Sequence, residues 1–148
     1  MAKMRLDQHL CFALYSASRA MTAAYRPILA EMNLTYPQYL VLLALWEDER
    51  LTVGRLGERL ALDSGTLSPL LKRLEANGLV RRERSHVDER LVDVTLTDAG
   101  RQLQRRAQCI PERLFPATGM TEHDAAELRD AVRQLTDALN ASLGREIA

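Results

Sequence analysis

The period of the hydrophobic pattern changes at Gly78, and this change constrains the fold more than any other feature of the chain. Before Gly78, residues 63–77 carry an apolar stripe at helical spacing, formed by Leu67, Leu70, Leu71 and Leu74. After it, residues 79–84 and 91–96 alternate with the period of two that is typical of strands. We therefore predict a helix that ends with Gly78 at its C′ position, followed by two strands around a polar turn.

The N-terminal half of the chain predicts three further helices. Apolar residues at helical spacing indicate a first helix over about residues 7–24, with Asp7 as its cap and a break or kink at Pro27. Thr35 is a predicted N-cap with Gln38 as its capping-box partner. The helix that follows is apolar on every side between residues 40 and 45, which indicates burial. A short helix with Leu56 and Leu60 directed inward comes next.

Helix-start signals also divide the C-terminal half. Asp63 or Ser64 can cap the helix that ends at Gly78, where Pro69 lies near the first turn. Thr97 begins a helix that is expected to run through Cys109, and Thr121 begins a last one. One side of the last helix is apolar: Leu128, Val132, Leu135 and Leu139.

The predicted fold is mainly α with a small β-hairpin wing. Its order is four helices, two strands and two helices, a winged helix-turn-helix flanked by helices at both ends. The 148 residues are most simply one domain, with the winged helix-turn-helix over about residues 35–100. Residues 1–34 and 101–148 are the predicted dimerisation helices.

The charge distribution permits a nucleic-acid partner although the formal net charge is zero. Residues 50–106 hold 12 Lys and Arg against 8 Asp and Glu, whereas both flanks carry an acidic excess. Contact with phosphate groups requires a local basic face and does not require a positive net charge of the whole chain. No apolar run approaches the length of a membrane span, and the N-terminal segment does not fit a signal peptide, so we expect a cytoplasmic protein without a membrane partner.

A capped helix that follows a short helix and a turn suits the major groove of DNA. Its predicted base-contacting or phosphate-contacting residues are Ser64, Thr66 and Ser68, with Lys72 and Arg73 meeting phosphate farther along. At the hairpin, Arg84 or Arg90 is the cation expected to reach the backbone or the minor groove. Isolated basic residues more often form only a solvated face, and it is the helix-turn-helix and hairpin context that favours DNA binding.

Three blocks of sequence resemble the MarR family of transcriptional regulators. They are residues 63–80, the Asp88-Glu89-Arg90 turn and Leu96-Thr97-Asp98-Ala99-Gly100. Residues 10–15, Leu-Cys-Phe-Ala-Leu-Tyr, together with Tyr25 and Tyr36, are similar to the organic hydroperoxide resistance regulators (OhrR) within that family. The resemblance implies a homodimeric repressor that binds palindromic double-stranded operator DNA.

Cys11 is the candidate redox sensor. It shares a helix face with Tyr15, four residues on, and lies in the early turns of its helix, where the helix dipole favours negative charge. From the residues alone, a small buried hydrophobe is the more common role for a lone cysteine on an apolar stripe. The resemblance implies instead that Cys11 is oxidised by organic hydroperoxide, and that Tyr25 and Tyr36 of the partner subunit reach it and stabilise its thiolate.

Cys109 has two open interpretations. The resemblance allows it to resolve the oxidised Cys11 by forming a disulfide, and it equally allows a low-molecular-weight thiol to do so, which leaves Cys109 a buried helix residue. His9, His86 and His123 are scattered, so no metal is expected, and we expect no cofactor.

Cys11 lacks an evident base for turnover, so we expect no enzymatic activity. A thiol peroxidase is disfavoured because no thioredoxin-like βαβ pattern is present. The alternative function is a MarR-type repressor that responds to a small aromatic or phenolic ligand, with Cys11 incidental.

Overall fold

Helices account for about 70% of the computed structural model, which describes residues 5–144, and a small three-stranded antiparallel sheet accompanies them. The helices are α1 (Leu10–Ala30), α2 (Tyr36–Asp48), α3 (Val53–Leu60), α4 (Ser64–Ala76), α5 (Asp98–Ala107), α6 (Ile110–Leu114) and α7 (Glu122–Ser142). The strands are β1 (Arg50–Thr52), β2 (Val80–Arg84) and β3 (Val92–Leu96). The predicted fold class, mainly α with a winged helix-turn-helix, is confirmed.

The first helix differs from its prediction at both ends. Asp7 lies in a short 3₁₀ helix, Leu6–Gln8, where its carboxylate pairs with the Arg5 guanidinium, and His9 occupies the N-cap position of α1. Pro27 lies inside α1, which continues to Ala30. The missing N–H of Pro27 costs one helical hydrogen bond, and the burial of the two residues that follow it favours continuation of the helix.

Helix α2 forms the centre of the core. Thr35 accepts a hydrogen bond from Gln38 N, and the Gln38 side chain accepts one from Thr35 N, so the predicted capping box is confirmed. Val41, Leu42 and Leu45 have no exposed surface. The leucines of neighbouring helices that are equally buried are Leu29, Leu56, Leu67, Leu71 and Leu74.

The sheet has one strand more than the predicted hairpin. Strands β2 and β3 pair in antiparallel register from Val80↔Leu96 to Arg84↔Val92, within one residue of the predicted bounds. The three-residue strand β1 pairs with the other edge of β3, which gives the order β1-β3-β2. Strand β1 is too short to show a period, and it exists because β3 offers a free edge.

The chain divides into two compact units between Gln108 and Cys109. The first contains α1–α5 and the sheet. Helix α5 ends at Ala107, so the prediction of a helix that runs through Cys109 is wrong; Cys109 is the N-cap residue of α6, next to Pro111 in its first turn. In the second unit, the predicted last helix is α7, capped by Thr121.

Candidate nucleic-acid interface and cysteine site

The predicted recognition helix, α4, begins at a firm cap. Asp63 accepts hydrogen bonds from Thr66 N at 2.8 Å and from Thr66 Oγ1 at 3.1 Å. These bonds, the backbone bond first, lower the pKa of the Asp63 carboxyl. Because the Thr66 hydroxyl donates its proton to Asp63, it meets another molecule chiefly as an acceptor.

One face of α4 is buried and the other is exposed. Leu67, Leu71 and Leu74 are fully buried, while Leu70 is half-buried. Pro69 lies in the second turn, one turn deeper than predicted, and α4 continues through it. The predicted DNA-contacting residues of α4 are all exposed: Ser64, Thr66, Ser68, Lys72 and Arg73.

The turn between α3 and α4 requires a glycine at position 57, although glycine is unfavourable within a helix such as α3. A Cβ atom on Gly57 would lie 2.8 Å from the carbonyl oxygen of Leu62, so the backbone can fold back here only past a glycine. Ala61 closes α3 in the left-handed region. Arg59 then joins α3 to the end of α2, through ion pairs with Glu47 and Asp48.

Arg90 of the wing is oriented by hydrogen bonds to a neighbouring carboxylate. The Arg90 guanidinium makes two parallel hydrogen bonds to the Asp88 carboxylate, at 3.0 Å and 2.9 Å, and Arg90 N makes a third at 3.0 Å. These bonds lower the pKa of Asp88 and raise that of Arg90. The Arg90 side chain is nevertheless 88% exposed, so it is oriented and still accessible.

The structure places parts of the wing and of α4 around one groove. Arg90 and Ser68 line the same cavity of about 340 Å³, together with Thr52 and Gly54 at the start of α3. Arg84 is exposed at the last pair of the β2–β3 ladder. Ser68 and Arg90, which were predicted from two separate motifs, therefore line one groove.

An ion pair that the sequence analysis missed ties α4 to the wing. Glu75 accepts from Arg82 N and Nε at 3.0 Å and from Arg82 Nη2 at 2.8 Å. The side-chain bonds from Arg82 are the largest cause of the lowered pKa of Glu75. The only available signal was the pair of opposite charges on either side of the Gly78 turn.

Cys11 is exposed at the second position of α1. It therefore lies in the first turn, as predicted, although the cap is His9. Tyr15 follows one turn later, and Arg19 contacts it: Arg19 Nη1 donates to the Tyr15 hydroxyl at 3.5 Å, and the guanidinium lies 5.5 Å from the ring centroid. Arg19 was not predicted.

Tyr25 and Tyr36 contact each other, with ring centroids 4.7 Å apart. Burial raises the pKa of both hydroxyls, and it raises that of the neighbouring Tyr39 to about 12. Tyr25 follows Cys11 by 14 residues in one continuous helix, which separates them by about 21 Å along its axis. The structure thus brings the two predicted tyrosines together but does not bring Tyr25 to the cysteine of its own chain.

Cys109, in the second unit, is exposed and is not the buried helix residue of one interpretation. Neither cysteine forms a disulfide. Across residues 5–144, no group of three or more His, Cys, Asp or Glu side chains is arranged to hold a metal ion. Over the same residues, no helix combines the length and the apolar character needed to cross a membrane.

Comparisons with known proteins agree on one kind of protein. The family model of the transcriptional regulators SarA/Rot matches residues 23–106. The HTH-type transcriptional regulator TtmR of Methylorubrum extorquens is 53% identical, over 94% of this chain and 71% of TtmR. The organic hydroperoxide resistance transcriptional regulator of Bacillus subtilis is 47% identical, over 93% of both chains.

This chain is a transcriptional regulator of the MarR/OhrR type. The regulator is also similar to a solved structure, reduced AbfR bound to DNA, with 37% identity and a TM-score of 0.79 over 95% of this chain and 96% of AbfR. AbfR of Staphylococcus epidermidis has further been solved in a disulfide-formed state, which is 40% identical with a TM-score of 0.63 over 90% of this chain and 94% of that one. The family predicted from the sequence motifs is confirmed, and its members are a non-enzymatic kind of protein.

Proposed function

We propose that the regulator is a homodimeric repressor of palindromic operator DNA that is released when organic hydroperoxide oxidises Cys11. The observation that carries this proposal is the separation of Cys11 from Tyr25. An exposed thiol at one end of α1 and a tyrosine pair about 21 Å away on the same helix can form one site only between two copies. The Bacillus subtilis relative, a regulator of organic hydroperoxide resistance, supports the same chemistry.

For DNA binding, the proposed contacts follow from the shared surface of α4 and the wing. Ser64, Thr66 and Ser68 contact bases or phosphates in the major groove, and Lys72 and Arg73 contact phosphate. At the wing, Arg90 or Arg84 enters the minor groove or lies along the backbone. Two modules related by a two-fold axis then match the two half-sites of a palindrome.

The proposed dimer interface is formed by apolar side chains that the described chain leaves exposed. In the first unit, Leu10 and Tyr15 of α1 expose more than half of their surface. In the second, Leu128 and Leu139 of α7 do the same, while Val132 and Leu135 are half-buried. Isolated exposed leucines are ordinary, whereas apolar residues at helical spacing along one side of α7, from Leu128 to Leu139, are typical of an interface. This supports residues 1–34 and 101–148 as the dimerisation segments.

The sensing step consumes one hydroperoxide for each cysteine. The Cys11 thiolate attacks the terminal oxygen of the hydroperoxide, the O–O bond breaks, and the alkoxide leaves and takes a proton to become the alcohol. Sulfur is oxidised to sulfenic acid and the hydroperoxide is reduced. Tyr25 and Tyr36 of the second copy, whose burial favours the protonated phenol, would donate hydrogen bonds to the thiolate before attack.

Oxidation would then alter the interface at which the two copies meet. The added oxygen displaces the two tyrosines, the helices at the interface shift, and the recognition helices leave their one-turn spacing. The sulfenic acid condenses with a second thiol and releases water, forming a disulfide either with Cys109 of the other subunit or with a low-molecular-weight thiol. AbfR, which has been solved in a disulfide-formed state, supports a disulfide ending.

The test is a titration of the DNA-bound protein with cumene hydroperoxide, using an operator selected from random duplex DNA and fluorescence anisotropy as the readout. We expect the wild type to be released and Cys11→Ser to bind with equal affinity and stay bound. Tyr25→Phe and Tyr36→Phe are expected to bind but to be oxidised more slowly. Release of Cys11→Ser by the hydroperoxide would contradict the proposal.

Two further arms of the titration decide between the open alternatives. If Cys109→Ser loses reversible release, an intersubunit disulfide follows oxidation; unchanged behaviour indicates the small-thiol route. If benzoate releases both the wild type and Cys11→Ser while cumene hydroperoxide releases neither, the regulator responds to an aromatic ligand and Cys11 is incidental.

A further inference from the structure

A row of four aromatic side chains starts at Tyr25 and Tyr36, the two proposed sensor tyrosines, and runs along α2. Tyr25 of α1 contacts Tyr36 and also Tyr39, with centroids 5.9 Å apart in the second pair. Tyr39 meets the indole of Trp46 edge-on at 6.2 Å and 64°. In this aromatic row (Tyr25, Tyr36, Tyr39 and Trp46), Tyr39 is only 4% exposed and belongs to the core, while the other three side chains are half-buried.

The far end of the aromatic row is hydrogen-bonded to the start of α5. Trp46 Nε1 donates to the carbonyl oxygen of Gly100 at 2.9 Å, a contact between residues 54 positions apart in the chain. Gly100 itself is buried. Indole N–H groups in protein interiors normally have a hydrogen-bond partner. Here the acceptor is the backbone carbonyl of Gly100, and its position depends on the residues that pack against Gly100.

Behind Gly100 lies the segment that connects the recognition helix to the wing, Gly78 and Leu79, which we call the helix–wing joint. A Cβ atom on Gly100 would overlap the carbonyl oxygen of Leu79, so the two backbones are in direct contact. Thr97 fastens the same joint: its N–H donates to Leu79 O at 3.0 Å and its hydroxyl donates to Gly78 O at 2.6 Å.

We propose that Trp46 is the positioning residue that couples the sensor tyrosines to the helix–wing joint. The proposal rests on the proposed function, because it takes Tyr25 and Tyr36 as the groups that oxidation displaces. Displacement of the rings moves Tyr39, Tyr39 moves the indole, and the indole carries Gly100 and the joint with it. The angle between α4 and the wing then changes within each subunit, in addition to any change of spacing between subunits.

Close packing is the physical reason that this row transmits a displacement. Side chains in a protein interior are packed at crystal-like density, so a ring that moves must displace its neighbours. Coupling through such contacts is accepted only when breaking one of them changes the communication between sites. The Trp46–Gly100 hydrogen bond can be removed by a substitution that keeps an aromatic side chain at this position.

Trp46→Phe therefore tests the proposal in the full-length protein. We expect unchanged affinity of the reduced form for DNA and unchanged oxidation of Cys11 by cumene hydroperoxide, measured by intact mass after sulfenic-acid trapping. The affinity ratio between reduced and oxidised protein should fall by about tenfold from the wild-type ratio, as is typical for loss of an allosteric coupling. An unchanged ratio would overturn the proposal, whether or not the reduced form binds DNA more weakly.

Arg59→Gln is the matched control, because Arg59 joins α2 to α3 through Glu47 and Asp48 but lies outside the aromatic row. It should keep the wild-type ratio; an equal loss would show that α2 is merely loosened and would also overturn the proposal. Release of Cys11→Ser by the same oxidant would instead refute the proposed function, and the role of Trp46 would fall with it.

A second measurement needs no substitution at Trp46. Trp46 is the only tryptophan in the sequence. Fluorescence excited at a wavelength that tryptophan absorbs and tyrosine does not therefore reports on the Trp46 indole. We expect the emission of the wild type to shift on oxidation and that of Cys11→Ser to stay constant. Emission that does not change while Cys11 is oxidised and DNA is released would contradict the proposal.

Discussion

The recognition helix and residues 10–27 of α1 are both amphipathic, yet only the recognition helix buries its apolar face inside the same chain. In α4, Leu67, Leu71 and Leu74 are fully buried, and Glu75 is bonded to the wing. In α1, none of residues 10–27 is buried. Under the proposed function, the DNA-contacting surface is complete in one subunit, whereas the cysteine site needs residues of two subunits. Oxidation of such a site would act on residues of both copies.

The largest effects are expected when a leucine is replaced by alanine in α4 and, separately, in α1. Leu71→Ala removes a fully buried side chain and is expected to lower the free energy of unfolding by about 2–5 kcal/mol. Leu10→Ala should instead weaken self-association by about tenfold or more, because the proposed partner of Leu10 lies in the second copy. Urea unfolding and sedimentation at several protein concentrations measure both. Self-association that is unaffected by Leu10→Ala would remove α1 from the interface.

On the DNA surface, the exposed hydroxyl of Ser68 is predicted to matter for discrimination. Ser68→Ala should cost about 1–3 kcal/mol at the selected operator and little on unrelated DNA, since one base-edge contact is lost. Thr66→Val is expected to act in the same direction. Competition binding with both duplexes checks this, and an equal loss on both would reassign these residues to phosphate contact.

Removal of the wing cation should have a smaller and sequence-independent effect. Arg90→Ala is expected to lower affinity for all duplexes and to reduce the salt dependence of binding by about one unit, because one phosphate contact is lost. Arg101→Ala, an exposed arginine on α5 outside the predicted surface, is the control and should keep the wild-type slope. A slope that Arg90→Ala leaves unchanged would show that the wing does not contact phosphate.

The smallest effect concerns alkaline stability. Burial raises the pKa of Tyr39 from 10 to about 12, so the folded state retains a proton that the unfolded state loses in this range. The free energy of unfolding should therefore fall as the pH rises from about 10 to about 12, and Tyr39→Phe should reduce this fall. Urea titrations at about pH 9 and about pH 11 measure it. Equal losses in both proteins would mean that other groups cause the alkaline effect.

Local signals in the sequence predicted the winged module well. Thr35 with Gln38 and Gly78 at the end of α4 each act over a few residues, and the structure keeps them where the sequence indicates. The family motifs extended this to the whole class of protein. The sequence therefore predicted those features, such as helix caps and helix ends, that depend on residues within one or two helical turns.

The features that were missed depend on residues distant in the chain or on packing. Strand β1 forms only by pairing with β3. The failure of Asp7 as a cap is a local exception, because its partner Arg5 is two positions away. The hydrogen bond between Trp46 and Gly100 joins residues 54 positions apart, and no local sequence pattern predicts it. For the cysteine site, the family resemblance had already implied that Tyr25 and Tyr36 reach Cys11 from the partner subunit. The structure adds that α1 continues through Tyr25, which separates Tyr25 from Cys11 by about 21 Å along one helix.

Mixed dimers test the division of the cysteine site most directly. One subunit carries Cys11→Ser with intact tyrosines, and the other carries Tyr25→Phe and Tyr36→Phe with intact Cys11. The control dimer joins a wild-type subunit to one with all three changes. The rate of Cys11 oxidation by cumene hydroperoxide is measured in both. If the site forms between subunits, the first dimer should react at the wild-type rate and the control slowly; the opposite order would show that each cysteine depends on the tyrosines of its own chain.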